Sequence, residues 1–142
     1  MQLAVKGDKL ISEVRKEFSL AYPFLKIEFF KKGSIPRERY TFEKLIPHHL
    51  SLKDAWHFYK GEGELEFNNT TTVMELERTF MERFGLSVQL FRKSGNLWLE
   101  TTITDNWTLK QQNDHGREIS AGANQLSNEK PGDYDLNRSN GY

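Results

Sequence analysis

Apolar residues recur with a helical period in two separate stretches of the chain. The first set is Ile11, Val14, Phe18 and Tyr22, and the second set is Val73, Leu76, Phe80 and Phe84. In both sets the spacing is i, i+3, i+7 and i+11, which places the side chains on one stripe of an α-helix. The two sets align position by position, from Ile11 with Val73 to Tyr22 with Phe84. The pattern therefore predicts two equivalent amphipathic helices.

Short runs of alternating apolar and polar residues flank each predicted helix, as is typical of strands. The runs "QLAV" and "ELEF" precede the helices, and "LKIEFF" and "LSVQLF" follow them. The first two runs align under the same shift that aligns the helices, and the last two align after a slip of a single position. Because strand, helix and strand recur in the same order, the sequence predicts an internal duplication.

Capping residues mark the ends of both helices. Asp8 is predicted to cap the first helix, and Thr72 with Glu75 has the spacing of a capping box for the second. Pro23 and Gly85 end the helical patterns at equivalent places.

The fold class that follows is α+β and ferredoxin-like. Two tandem β–α–β(β) half-units form one mostly antiparallel sheet with the helices on one face, since each apolar stripe is then covered. The run "LWLETTI" adds a strand to the second half-unit through a hairpin at Ser94 to Asn96.

The domain organisation follows from the same repeat. Residues 1–121 form a single α+β domain, with half-units at 1–34 and 63–103, an insertion at 35–62 and a terminal segment at 104–121. Residues 122–142 are poor in aliphatic side chains, so we expect a disordered tail.

Two similar stretches follow the half-units. "SLKD" begins at Ser51 and "TLKQ" begins at Thr108, and each is predicted to start a short helix. Ser51 and Asp54 have the spacing of a cap for the first, and Thr104 or Asp105 is the predicted cap of the second.

Large aromatic residues fall on the strand phase that points away from the helices. They are Phe30, Phe91 and Trp98, and the basic residues Lys31, Lys32, Arg92 and Lys93 flank them. Leaving three such rings bare costs several kcal/mol at about 25 cal/mol per Å². We therefore predict a partner-binding surface, and its residues are Phe30, Phe91, Trp98, Lys32, Arg92 and Lys93.

The sequence is consistent with three ways of burying this surface. The insertion can fold over it with Trp56, Phe58 and Tyr59, a protein partner or a second copy can bind it, or nucleic-acid bases can stack on it. Glutamates of the same phase, among them Glu28 and Glu100, repel phosphates, so nucleic acid is the least favoured. The predicted function is a non-catalytic module for protein interaction or self-association. The alternative is single-stranded nucleic-acid binding on the same face.

Composition narrows the class of protein. The chain has 142 residues, a net charge of +0 and no cysteine, which excludes disulfides and thiolate nucleophiles. It has no long apolar run and no signal-peptide pattern, so we expect a cytoplasmic protein without membrane contact.

The sequence offers little for catalysis or metal binding. His48, His49 and His57, with Glu43 and Asp54, are the candidate metal ligands, but their spacing fits no standard site. No nucleophile elbow, phosphate-binding loop or dinucleotide fingerprint occurs. We predict no catalytic residue, cofactor or metal, and an enzyme is the minority hypothesis.

Overall fold

The computed structural model describes residues 1–31 and 44–127. These ranges form an α+β fold of five strands and three α-helices, with a 3-10 turn at Leu52–Asp54. In chain order the elements are β1 Gln2–Val5, α1 Ile11–Ala21, β2 Leu25–Phe30, β3 Gly63–Glu66, α2 Val73–Phe84, β4 Ser87–Ser94, β5 Leu97–Glu100 and α3 Leu109–Ser127.

The strands form two antiparallel sheets, so the predicted single sheet is wrong. One sheet pairs β1 with β3, and the other has the order β2–β4–β5. Each of the first two helices carries the chain from the small sheet to the large one. The alternation of apolar residues fixes which face of a strand is buried, but it does not fix which strand lies alongside.

Both sheets pair strands that are equivalent in the sequence repeat. At the centre of β1–β3, Leu3 lies opposite Leu65, and at the centre of β2–β4, Glu28 lies opposite Gln89. These are the same pairs that the alignment of the two copies makes equivalent. An antiparallel ladder centred on equivalent residues has a local two-fold axis at that pair.

The N-termini of α1 and α2 are held in the same way. In α1, the amides of Ile11 and Ser12 donate to the carbonyl oxygens of Leu50 (2.9 Å) and His48 (3.0 Å). In α2, the amides of Val73 and Met74 donate to Trp107 (3.1 Å) and Asp105 (2.8 Å). A neighbouring segment of main chain thus satisfies first-turn amides that have no partner within the helix.

Side-chain capping differs between the two helices. In α2 the predicted box is confirmed, because the Glu75 amide donates to Thr72 Oγ1 and the Thr72 amide donates to Glu75 Oε1. In α1 the capping position is Leu10, so the predicted Asp8 cap is wrong. There Glu13 Oε1 accepts from the Leu10 amide at 2.9 Å, and main-chain carbonyls accept from the amides of the first turn.

The core lies between the large sheet and the helices. The predicted inward phase is confirmed, and a T-shaped contact of 5.8 Å joins Phe29 of β2 to Phe80 of α2. Phe18 of α1 enters the same cluster. Leu97 of the predicted phase is half-buried. The other residues of that phase, in the strands and directly beside them, are buried: Leu25, Ile27, Phe29, Leu65, Phe67, Leu86, Val88, Leu90 and Leu99.

Helix α3 packs close against β2 and β4. A Cβ atom added at Gly116 would lie 2.9 Å from Cβ of Phe24, the residue before β2. The backbone of α3 therefore lies very close to the start of β2. The helix begins with a box in which the Gln111 amide donates to Thr108 Oγ1 and the Thr108 amide donates to Gln111 Oε1. Thr108 therefore replaces the predicted cap at Thr104 or Asp105.

The end of α3 also differs from the prediction. The helix continues to Ser127, well into the predicted tail, and the rest of that tail lies outside the described residues. None of the helices within residues 1–31 and 44–127 has the length and apolar character needed to cross a bilayer.

Candidate binding surface

On the side of the large sheet that faces away from the core, two neighbouring rows of side chains lie beyond the buried rows of Glu28 with Gln89 and of Phe30 with Ser87. In one row Lys26, Phe91 and Glu100 lie side by side across β2, β4 and β5, and in the next row Lys93 lies opposite Trp98. These residues alternate with Leu25, Leu90 and Leu99, which point into the core. We call the five residues of the two rows the outer face.

Lys26 connects the two aromatic rings of the outer face. Its Nζ lies 5.3 Å from the ring centroid of Phe91 and 5.2 Å from that of Trp98. The same ammonium lies 3.6 Å from Glu28 Oε2. Cation–π contacts of this kind stabilise by about 0.5–1 kcal/mol at exposed sites and more where water is excluded. Both rings are half-buried.

The sequence did not single out Lys26, although its strand phase gave a signal. Lys26 alternates with the inward-facing Leu25 and Ile27, so it belonged to the outward set. Its contact with both rings depends on the register of β2 against β4, which the alternation alone does not specify.

Phe30 lies apart from the other two predicted aromatics. It pairs with Ser87, four positions from Phe91 along β4, which corresponds to about 13 Å. Its side chain is 2% exposed. Leu45 pairs with Phe30, and Nε2 of His57 lies 3.2 Å from the Phe30 carbonyl oxygen.

Arg92 points to the opposite side of the sheet. It pairs with Leu25 and Leu99 on the core side, and its Nη1 donates to Gln112 Oε1 of α3 at 2.8 Å. The guanidinium lies 5.7 Å from the ring centroid of Trp107, and burial lowers the pKa of Arg92.

The structure therefore brings together three of the six predicted residues, namely Phe91, Trp98 and Lys93. Phe30 and Arg92 lie elsewhere, and Lys32 is outside the described residues. Lys31, which was predicted to flank the surface, is exposed just after β2.

The described part of the insertion runs along the edge of the large sheet. Trp56 pairs with Leu86, and its ring packs against Tyr59 at 4.6 Å. Phe58 and Tyr59 are 51% and 61% exposed, so they form a second aromatic patch, although one of the three predicted ways of burying the outward aromatics used both residues. Residues 35–43 of the insertion lie outside the described ranges.

A buried carboxylate lies at the edge of the outer face. Glu28 is 4% exposed, and Nε2 of His48 lies 2.8 Å from its Oε1, while Nη2 of Arg15 lies 3.5 Å from its Oε2. Arg15 Nη1 also lies 3.0 Å from His48 Nδ1. Because arginine only donates, Nδ1 of His48 accepts and Nε2 donates to Glu28. The histidine is thereby fixed in one tautomer within a structural ion cluster.

The second half of the chain has a cleft where the first half has this ion cluster. It has a volume of about 310 Å³, and its lining includes Glu77, Gln89 and Asp105. In the alignment of the two copies, Glu77 corresponds to Arg15 and Gln89 corresponds to Glu28. Glu77 Oε2 accepts from the Leu90 amide at 3.0 Å. The two halves thus differ in charge at this position.

The candidate metal ligands are not brought together. His48 belongs to the ion cluster and His49 is exposed, while Glu43 is outside the described residues. In the part of the chain that the structure describes, no group of three His, Asp or Glu side chains is arranged to hold a metal ion.

Two charged residues of the outer face have no ion pair within the described ranges. They are Lys93 on β4 and Glu100 on β5. Partial burial raises the pKa of Glu100, because the charged form loses hydration. The outer face therefore presents a ring pair flanked by two opposite charges.

Comparison with models of known protein families, with curated proteins and with solved structures finds no match for this chain.

Proposed function

We propose that this protein is a non-catalytic binding module and that its outer face contacts another protein surface. The observation that carries this proposal is the position of Lys26 between Phe91 and Trp98, at 5.3 and 5.2 Å from their ring centroids. Rings that are already fixed lose little conformational freedom on binding, and aromatic residues are enriched at the centres of protein interfaces.

The charges of the outer face favour protein over nucleic acid. With Arg92 on the core side, the cations of the face are Lys26 and Lys93, and Lys26 already contacts Glu28. Glu100 adds a negative charge beside Phe91. A surface that binds single-stranded nucleic acid needs several unpaired cations along the path of the sugar–phosphate backbone. The outer face does not offer such a run of cations.

We further infer that the two β–α–β units arose by duplication and are related by an internal two-fold axis. The central pairs of both ladders and the starts of α1 and α2 all follow the alignment of the two copies in the sequence. The capping segments add independent support, because the carbonyls of Leu50 and Trp107 meet the equivalent amides of Ile11 and Val73. A ferredoxin-like ancestor with a single sheet explains these strand pairings less directly. The cytoplasmic location is part of the proposal and rests on the sequence alone.

Site-specific photo-crosslinking tests the binding function. The full chain carries p-benzoylphenylalanine in place of Phe91, and the matched control carries it in place of Leu20, which is 75% exposed on α1. We expect protein adducts from position 91 that the Trp98→Ala change reduces, and fewer adducts from position 20. Equal labelling at both positions contradicts the proposal. Adducts that nuclease digestion removes favour the nucleic-acid alternative.

A further inference from the structure

We propose that the partner of the outer face is a second copy of this chain, in a symmetric face-to-face dimer. This inference rests on the proposed binding function and adds the identity of the partner. The chain's net charge of +0 gives no long-range repulsion between copies, which is the condition under which association is easiest.

The arrangement of four side chains makes the face complementary to itself. Phe91 lies opposite Glu100 and Lys93 lies opposite Trp98, so the four form a near-square. The two rings occupy one diagonal, and the two opposite charges occupy the other. Directly opposite and diagonal neighbours on a sheet lie about 5 Å and 7–8 Å apart.

A two-fold axis along the ring diagonal satisfies these four residues at once. It also brings the two Lys26 ammonium groups near the axis, where each keeps its ion pair with Glu28 of its own chain. Rotation about that axis places Phe91 and Trp98 against their own counterparts, as an isologous interface requires. The same rotation places Lys93 over Glu100 of the partner subunit, and Glu100 over Lys93 of the partner subunit. Because the diagonal runs obliquely to the strands, the two sheets cross at a steep angle, near the orthogonal class of sheet packing.

The size of the face sets the strength of the dimer. Three strands spaced at about 4.8 Å, with about 3.3 Å per residue, give a patch of a few hundred Å². A standard stable interface buries about 800 Å² per partner. We therefore expect a weak, reversible dimer that forms only at high protein concentration.

Charge reversal gives the sharpest test. In the dimer, Lys93→Glu sets two pairs of acids against each other, and Glu100→Lys sets two pairs of bases against each other. Each variant alone is expected to weaken dimerisation by at least about tenfold, since like charges then meet across the interface. An equimolar mixture of the two variants restores both opposite-charge pairs and is expected to dimerise as well as the original chain. Sedimentation velocity over a concentration series measures the original chain, each variant alone and the mixture.

Two further variants control this experiment. Trp98→Ala is expected to abolish the dimer, whereas Tyr59→Ala, at the second aromatic patch, is expected to leave it unchanged. A chain that stays monomeric at millimolar concentration overturns the dimer proposal. Dimerisation that Tyr59→Ala abolishes, or that the mixture fails to restore, also overturns it.

Solvent access to Trp98 separates this inference from the binding function. Fluorotryptophan in the full chain gives three fluorine resonances, and Trp98→Phe identifies the one from Trp98. If the accessibility of Trp98 to a soluble paramagnetic probe falls as the protein concentration rises, both proposals are supported. A monomer whose Trp98 stays accessible overturns the dimer and leaves the binding function standing. A monomer whose Trp98 is always protected overturns both.

Discussion

Glu28 and Gln89 lie directly opposite each other at the centre of the β2–β4 ladder, and Glu28 lies within 4.0 Å of two cationic side chains, those of Arg15 and Lys26. Gln89 instead donates through Nε2 to the Leu90 carbonyl oxygen at 2.9 Å. Equivalent positions of the two units therefore have different electrostatic roles.

The first prediction concerns Glu28→Gln, which gives this position the side chain of its counterpart. The change removes the carboxylate from Arg15, Lys26 and His48, so we expect a loss of about 1–3 kcal/mol in the free energy of unfolding. Urea denaturation measures it. The matched control is Glu66→Gln on the exposed side of β3, which is expected to stay within about 0.5 kcal/mol. Equal effects of the two changes would show that the ion cluster contributes nothing to stability.

The second prediction concerns the pH dependence that Glu100 creates. Its pKa is raised in the folded chain above the ordinary value of 4.5, so the folded state holds the proton more tightly than the unfolded state. The stability from this group is present below pH 4.5 and is lost as the pH rises through the folded pKa. Glu100→Gln mimics the neutral form, and we expect it to stabilise the monomer at pH 7 and to have little effect near pH 4.

Chemical denaturation of dilute protein at several pH values checks this second prediction. Glu64→Gln, at an exposed position on β3, serves as the matched control for the loss of one carboxylate. A Glu100→Gln variant that is destabilised at neutral pH would mean that the carboxylate has a cationic partner in the monomer.

The third prediction concerns the contact between α3 and the sheet. A methyl group at Gly116 meets Cβ of Phe24 at 2.9 Å and Cγ of Arg92 at 3.1 Å. Although alanine is the better helix former, we expect Gly116→Ala to destabilise by about 1–3 kcal/mol, because the helix must move outward. Gly122→Ala meets nothing within 4 Å and is expected to be neutral or slightly stabilising. Thermal unfolding of both variants gives the comparison.

The sequence predicted the parts of this fold that depend on local periodicity. The stripe through Ile11 and Phe18 marks α1, and the alternation through Leu25 and Ile27 marks the buried side of β2. The two-sheet arrangement was not predictable in this way, because a period of two defines a face without naming the neighbouring strand. The alignment of the repeat made β2 and β4 equivalent, but only the structure shows that equivalent strands lie side by side.

The candidate site was predicted in part for a related reason. Strand phase placed Phe30 and Phe91 on one side of the sheet, but it gave no distance along the strands, and antiparallel pairing separates them. Arg92 was included because it neighbours Phe91 in sequence, whereas adjacent strand residues point to opposite faces. The contact of Lys26 with both rings requires three strands in register, which is a tertiary property.

The last prediction compares the starts of α1 and α2. In α2, Thr72 Oγ1 accepts from the Glu75 amide at 3.1 Å, so Thr72→Ala is expected to cost about 1 kcal/mol of unfolding free energy. In α1 the first amides donate to the Leu50 and His48 carbonyls, so Asp8→Ala is expected to stay within about 0.5 kcal/mol. Urea denaturation of the two variants measures the difference. An equal loss for Asp8→Ala would mean that its carboxylate caps α1 in solution, and that the main-chain contacts do not suffice to hold the helix start.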